Sequence, residues 1–143
     1  MKMKKAFYIL LLFILSGCFM GGTWEDNDDN WERIFYEEKP ENITVNNSWF
    51  WQSSHWTYEY CFFIEIKNNP QFISKLIEEN NLGKVENTEI DNDLLYFFSD
   101  KPEWFIPRDI KAYDVWKVKG VYENKKLFLD RQDGTIFLTD FSV

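Results

Sequence analysis

Between His55 and Lys67 the even positions Trp56, Tyr58, Tyr60, Phe62, Ile64 and Ile66 are all apolar, while the odd ones run His55, Thr57, Glu59, Cys61, Phe63, Glu65 and Lys67. A period of two sends successive side chains to opposite faces, so the stretch predicts a strand with one face in the core. Cys61 and Phe63 predict partial cover on the other face. The period then changes. Asn69 offers an N-cap, Pro70 suits the first helical turn, and Phe72, Ile73, Leu76 and Ile77 form a stripe at helical spacing. This predicts a helix that stops at Leu82-Gly83, with glycine as the terminating residue.

The C-terminal half reads as strands. Val85 to Ile90 is a weak candidate and Asp93 to Ser99, with Leu94-Leu-Tyr-Phe-Phe98, a stronger one. Lys101-Pro102 marks a turn before Trp104-Phe105-Ile106-Pro107, Ile110 to Tyr113 forms a helical turn, and Tyr113 to Tyr122 is a strand interrupted at Gly120. Lys126–Arg131 and Thr135–Phe141 form a hairpin joined at Asp133-Gly134, where glycine tolerates positive φ. Upstream, Ile43 to Ser53 contains Trp49-Phe50-Trp51. Three consecutive rings cannot share one face of a strand, so either both faces are covered or a ring is left for a partner. The expected fold is α+β: an antiparallel β-meander of about five to six strands with one helix packed across one face.

The first eighteen residues follow a different pattern. Lys2, Lys4 and Lys5 precede ten apolar residues, Ala6 to Leu15, a run too short for the roughly 20 residues that span a bilayer core. The ending Leu15-Ser16-Gly17-Cys18 resembles the lipobox of bacterial lipoproteins. That resemblance implies cleavage of residues 1–17, acylation of Cys18 and attachment to the cell envelope. It further implies, from Phe19 after the cysteine, the periplasmic side of the outer membrane if the source is Gram-negative. Residues 18–42, with Gly21-Gly22 and the polar run Glu25–Asn30, are expected to form an acidic flexible tether, and 43–143 a single globular domain. Trp31, Ile34 and Phe35 stand at helical spacing inside that tether and predict a short segment docking on the domain.

Charge narrows the partners. The full chain carries a net charge of -8, from sixteen basic and twenty-four acidic residues. Loss of three signal lysines leaves thirteen against twenty-four, a net of -11. Such acidity disfavours nucleic acid and anionic lipid headgroups and favours a basic protein partner, since opposite potentials speed encounter.

Candidate chemistry is sparse. With Cys18 acylated, Cys61 has no disulfide partner, and the fold must hold by packing its aromatic side chains, 20% of all residues. His55 and Cys61 lie six residues apart on one predicted strand, about 20 Å, beyond nucleophile–base reach. No His-Glu-x-x-His, Cys-x-x-Cys, Gly-x-Ser-x-Gly or phosphate-binding glycine loop is present. Carboxylate pairs such as Glu59 with Glu65, or Asp130 with Asp133, are expected by chance among twenty-four acids. No catalytic residue, metal site or cofactor is therefore assigned. The expected activity is binding, with Trp49, Trp51, Trp56 and Trp104 as candidate partner-contacting residues.

Trp104-Phe105-x-Pro107, Leu127-x-Leu129-Asp130 and Gly134-Thr-Ile-Phe137 are loosely similar to segments of small bacterial proteins that include immunity partners of secreted toxins. Three readings stand: an immunity protein or inhibitor of a periplasmic toxin or cell-wall hydrolase, a structural or accessory envelope lipoprotein, and a glycan-binding module.

Overall fold

The computed structural model describes residues 21–54, 58–86, 92–120 and 124–143. The expected strand beginning at His55 is ordered as β3, Tyr60–Ile66, while His55 to Thr57 lie outside the described residues. β2, Val45–Gln52, pairs with it antiparallel. Before them come β1, Gly22–Glu25, and α1, Asn30–Phe35; after them come α2, Pro70–Glu79, β4, Leu82–Lys84, β5, Tyr113–Val118, β6, Lys126–Asp130, and β7, Ile136–Ser142. The seven strands form one antiparallel sheet in the order β1-β2-β3-β7-β6-β5-β4. The fold is α+β, with seven strands among the described residues rather than five or six and two helices on one face rather than one. Two meanders, β1-β2-β3 and β4-β5-β6-β7, meet at the β3–β7 pairing, and α2 carries the chain from the middle of the sheet to its far edge.

Alternation along the strands builds a core on each face. Phe50, Phe62, Ile64, Ile66, Leu127 and Leu138 face the helices, where they meet Trp31, Phe72 and Leu76. Cys61, Phe63, Val115, Phe128 and Phe137 face the opposite side. That second side is covered by the segment 92–112, with Phe105 fully buried at its centre, 4.8 Å from the Phe63 ring and edge-on to Phe128 and Phe137. The partial cover expected over Cys61 and Phe63 is thus complete burial.

The strand expected over Asp93 to Ser99 does not form. The chain makes a 3-10 turn at Asn92–Leu95, and only Leu94 and Phe97 turn inward while Leu95, Tyr96 and Phe98 stay exposed. Leu94 within that turn and Phe97 just after it point inward three positions apart, which breaks the alternation of a strand. Trp104 to Pro107 likewise forms turns around the buried Phe105 and Ile106. For Val85 to Ile90, the Val85 N–H reaches the Val115 carbonyl at 2.8 Å, and residues 87–91 lie outside the described residues.

α2 begins as its sequence predicts: Asn69 Oδ1 accepts the Phe72 N–H at 3.0 Å and Pro70 occupies the first turn. It ends earlier than expected, since Asn81 (φ 49°) makes the left-handed exit and Gly83 belongs to β4. Asn adopts this conformation more readily than other non-glycine residues. The hairpin turn is as predicted, with Gly134 at φ 76° and its N–H bonded to the Asp130 carbonyl at 2.9 Å.

The expected flexible tether over 18–42 is corrected for 22–35. β1 pairs with β2 from Gly22–Gln52 to Glu25–Trp49, and α1 sinks Trp31 into the helix-side core, 5.5 Å from the Phe72 ring. The cause is a buried polar clasp. Asn30, fully buried, donates from Nδ2 to the Trp24 carbonyl and to Ser48 Oγ, both at 3.0 Å. Asp26 and Ser48 exchange two further bonds: the Asp26 N–H to the Ser48 carbonyl and the Ser48 N–H to Asp26 Oδ1, both at 2.8 Å. Fully satisfied buried polar groups fix one arrangement, because any other leaves them without partners.

Candidate binding face

Trp49 and Trp51 occupy alternate positions of β2 on the loop-covered side. Trp49 lies 5.7 Å from Phe63, Trp51 5.7 Å from Phe98, and Trp104 packs edge-on to Phe105; each ring is half-buried. Trp49 and Trp104 share the wall of one shallow cleft with Glu25 and Asp100, while Trp51 stands apart beside Phe98. Trp56 and Cys18 lie outside the described residues. Both faces at Trp49-Phe50-Trp51 are covered, so these rings serve packing first.

The reactive side chains are likewise engaged. Cys61 is fully buried, and burial, with the charge of Asp140 adding to it, pushes its thiol up to about 12, so it stays protonated at neutral pH. Asp130, buried on β6, pairs with Arg108 and accepts the Gln132 N–H at 2.8 Å. Asp133 caps the hairpin turn through the Thr135 N–H, which holds its carboxyl below the usual carboxylate range. Glu65 accepts from the Asn46 and Asn47 side chains. Among the described residues no three His, Cys, Asp or Glu side chains converge as a metal site.

What the fold gathers instead is charge. From Glu25 to Glu41 there are eight acidic residues against Arg33 and Lys39, a net of -6 in a chain whose total is -8. The clasp around Asn30 fixes the first half of this run against the sheet edge, and most of its carboxylates are solvent-exposed. At the C-terminus of α1, Tyr36 takes a left-handed backbone (φ 55°) and is 73% exposed. Its hydroxyl meets that of Tyr58 at 2.8 Å, and desolvation together with that bond pushes its pKa up to about 12. Tyr36 makes the left-handed exit from α1, with its N–H bonded to the Glu32 carbonyl at 2.9 Å.

Beside Tyr36 a cavity of about 280 Å³ opens between α1, α2 and the sheet. Phe50, Phe62 and Leu138 form its apolar floor. Its rim is polar: Tyr60 donates to Asp140 Oδ2 at 3.1 Å, Lys125 lies 3.8 Å from the same carboxylate, and Lys75 pairs with Glu37 at 3.2 Å. Burial, reinforced by the Asp140 charge, raises the Tyr60 hydroxyl well above the ordinary tyrosine range. An apolar floor with paired polar groups at the mouth can seat the stem of a long side chain while its head meets the rim. Sequence reasoning placed Tyr36 in a short docking segment, Trp31 to Glu38, and missed the cavity beside it; the further signal available was Trp24 inside an otherwise polar run. Compared with protein-family models, known proteins and solved structures, the chain matches none of them.

Proposed function

We propose that the chain is a lipid-anchored, non-enzymatic envelope protein whose acidic domain binds a basic protein partner, as an immunity protein or inhibitor of a periplasmic toxin or cell-wall hydrolase. The observation that carries this reading is the acidic run Glu25–Glu41, held in order by the Asn30 clasp and flanked by the exposed Tyr36 and its cavity. Fixed surface charge of one sign speeds encounter with an oppositely charged protein, and an aromatic side chain beside a pocket supplies the short-range anchor. Anchoring rests on the Lys2–Cys18 pattern; among the described residues no helix is long and apolar enough to cross a membrane. The accessory and glycan-binding readings rely on free tryptophan faces, and the packing of Trp49, Trp51 and Trp104 gives them less support.

The test is capture of partners from envelope extract, and of the product of the adjacent reading frame, by the wild-type domain and by a Glu32→Lys, Glu37→Lys, Glu38→Lys variant. A basic partner is expected on the wild type alone, with an association rate that falls steeply with salt. Equal capture by both proteins, or capture insensitive to salt, overturns the reading.

A further inference from the structure

The row of the sheet nearest the anchor carries an exposed aromatic ledge. In register, Gly22 faces Gln52, Gln52 faces Tyr60 and Tyr60 faces Ser142; the next row is Thr23, Trp51, Cys61 and Phe141. Phe98 lies over the second row, 5.7 Å from the Trp51 ring and 5.8 Å from Phe141, and Tyr96 lies 6.0 Å from Phe141. Leu95 is 42% exposed, Tyr96 60% and Phe98 40%, with Val143 at the end of the first row 70% exposed. The ledge is fixed: Lys126 Nζ, itself nearly buried, holds the Tyr96 carbonyl at 2.7 Å.

The length of chain leading to this row says what covers it. Gly21 packs so closely on the Ser53–Ser54 backbone that an added Cβ would come within 2.3 Å of the Ser54 nitrogen, so this residue is held against the sheet. From Cys18 to Gly21 is three residues, a reach of about 11 Å at most. The headgroup layer that an acylated cysteine must cross is roughly 5–7 Å thick, half the difference between the whole bilayer and its hydrocarbon core. What remains is a few ångströms, too little to lift the first two rows clear of the membrane surface.

We infer that this end of the sheet seats directly on the lipid bilayer, with Leu95, Tyr96, Phe98 and Val143 in the headgroup region. The inference rests on acylation of Cys18. Tyrosine and other amphipathic aromatics favour that interfacial zone, and an apolar ledge facing it has a partner without any second protein. β1 then leads away from the membrane, which sets Glu25 about 10 Å farther out, and α1 returns the acidic run to the level of the first row, where the Tyr36 hydroxyl meets that of Tyr58 at 2.8 Å. The domain is thereby oriented with its hairpin turn, Arg131–Gly134, pointing outward.

The experiment uses the full chain, purified with its lipid and reconstituted into vesicles of phosphatidylethanolamine and phosphatidylglycerol. A fluorophore is placed in turn at Leu95→Cys, Val143→Cys and Gln132→Cys; Cys61, fully buried, stays unlabelled. Spin-labelled lipid is expected to quench the probes at 95 and 143 severalfold more than the probe at 132, since the seven residues of β7 separate the two ends by about 20 Å. A Tyr96→Ser, Phe98→Ser variant is expected to shrink that contrast while keeping its far-ultraviolet circular dichroism. Intact mass is measured first. Acyl mass present with equal quenching at all three positions overturns the seat and leaves the anchor standing, whereas absence of acyl mass overturns both.

Discussion

Replacing Asn30 by alanine tests whether residues 22–35 are part of the folded domain. Asn30 is fully buried, and its amide makes two bonds at 3.0 Å, to the Trp24 carbonyl and to Ser48 Oγ, while Oδ1 receives Arg33 at 3.3 Å. Removing the amide deletes these bonds and leaves a buried carbonyl and a buried hydroxyl to find new partners. At about 1 kcal/mol net per neutral bond, and about 1–3 kcal/mol for a stranded buried group, the loss is about 2–4 kcal/mol. That is a large part of the roughly 5–15 kcal/mol of a typical domain and corresponds to a fall in Tm of about 10 °C. The assay is urea unfolding followed by circular dichroism, with a double-mutant cycle against Ser48→Ala. Because the two side chains touch, the cycle should show a coupling of about 0.5–1 kcal/mol. A change below about 0.5 kcal/mol for Asn30→Ala would mean that β1 and α1 are not clasped to the sheet, and the docked acidic face would fall with them.

Three further outcomes follow from the packing and the charges. Gly134→Ala should destabilise the domain by about 1–2 kcal/mol in thermal melts, because φ is 76° there and a Cβ would come within 2.4 Å of Asn68 Nδ2; an unchanged Tm contradicts the turn geometry. Cys61, buried and with its thiol pushed up to about 12, should resist a thiol reagent at neutral pH in native buffer and react fully in urea, and fast native labelling would contradict its burial. Asp114, although desolvation alone would raise its pKa, is held below the ordinary value by Arg131 at 3.0 Å and Lys84 at 3.2 Å. A depressed carboxylate contributes stability above its unfolded pKa of about 3.9 and loses it as pH falls through the folded value. Asp114→Asn should thus be less stable than wild type by up to about 1 kcal/mol from roughly pH 5 to 8, and the two should converge near pH 2; a difference that grows on acidification refutes the assignment.

The elements legible in the sequence were those whose cause is local. The alternation through Phe62, Ile64 and Ile66, the Asn69-Pro70 start of α2 and the Asp133-Gly134 turn each follow from backbone preference or period, and each lies where it was expected. The misread segments depend on distant partners. Leu94 to Phe98 is apolar throughout, and five such residues do not distinguish alternation from a three-residue period until the covering role over Phe63 and Phe141 is known. Glu25 to Asn30 looked too polar to pack, yet Asn30 is buried because Ser48, eighteen residues away, completes its bonds, while Trp31, Ile34 and Phe35 dock at the helical spacing expected of them. The acidic face was visible as composition and invisible as a place.

The position of β7 has a consequence for how the molecule comes to exist. It is the last strand of the described chain and the fourth of seven across the sheet, paired with β3 on one side and β6 on the other. Until residues 136–142 arrive, the two meanders are separate ribbons with open inner edges. Strands this distant in sequence close slowly, and open edges are sticky while they wait. The native sheet therefore cannot close before residues 136–142 have left the ribosome, because only β7 joins the β3 edge to the β6 edge.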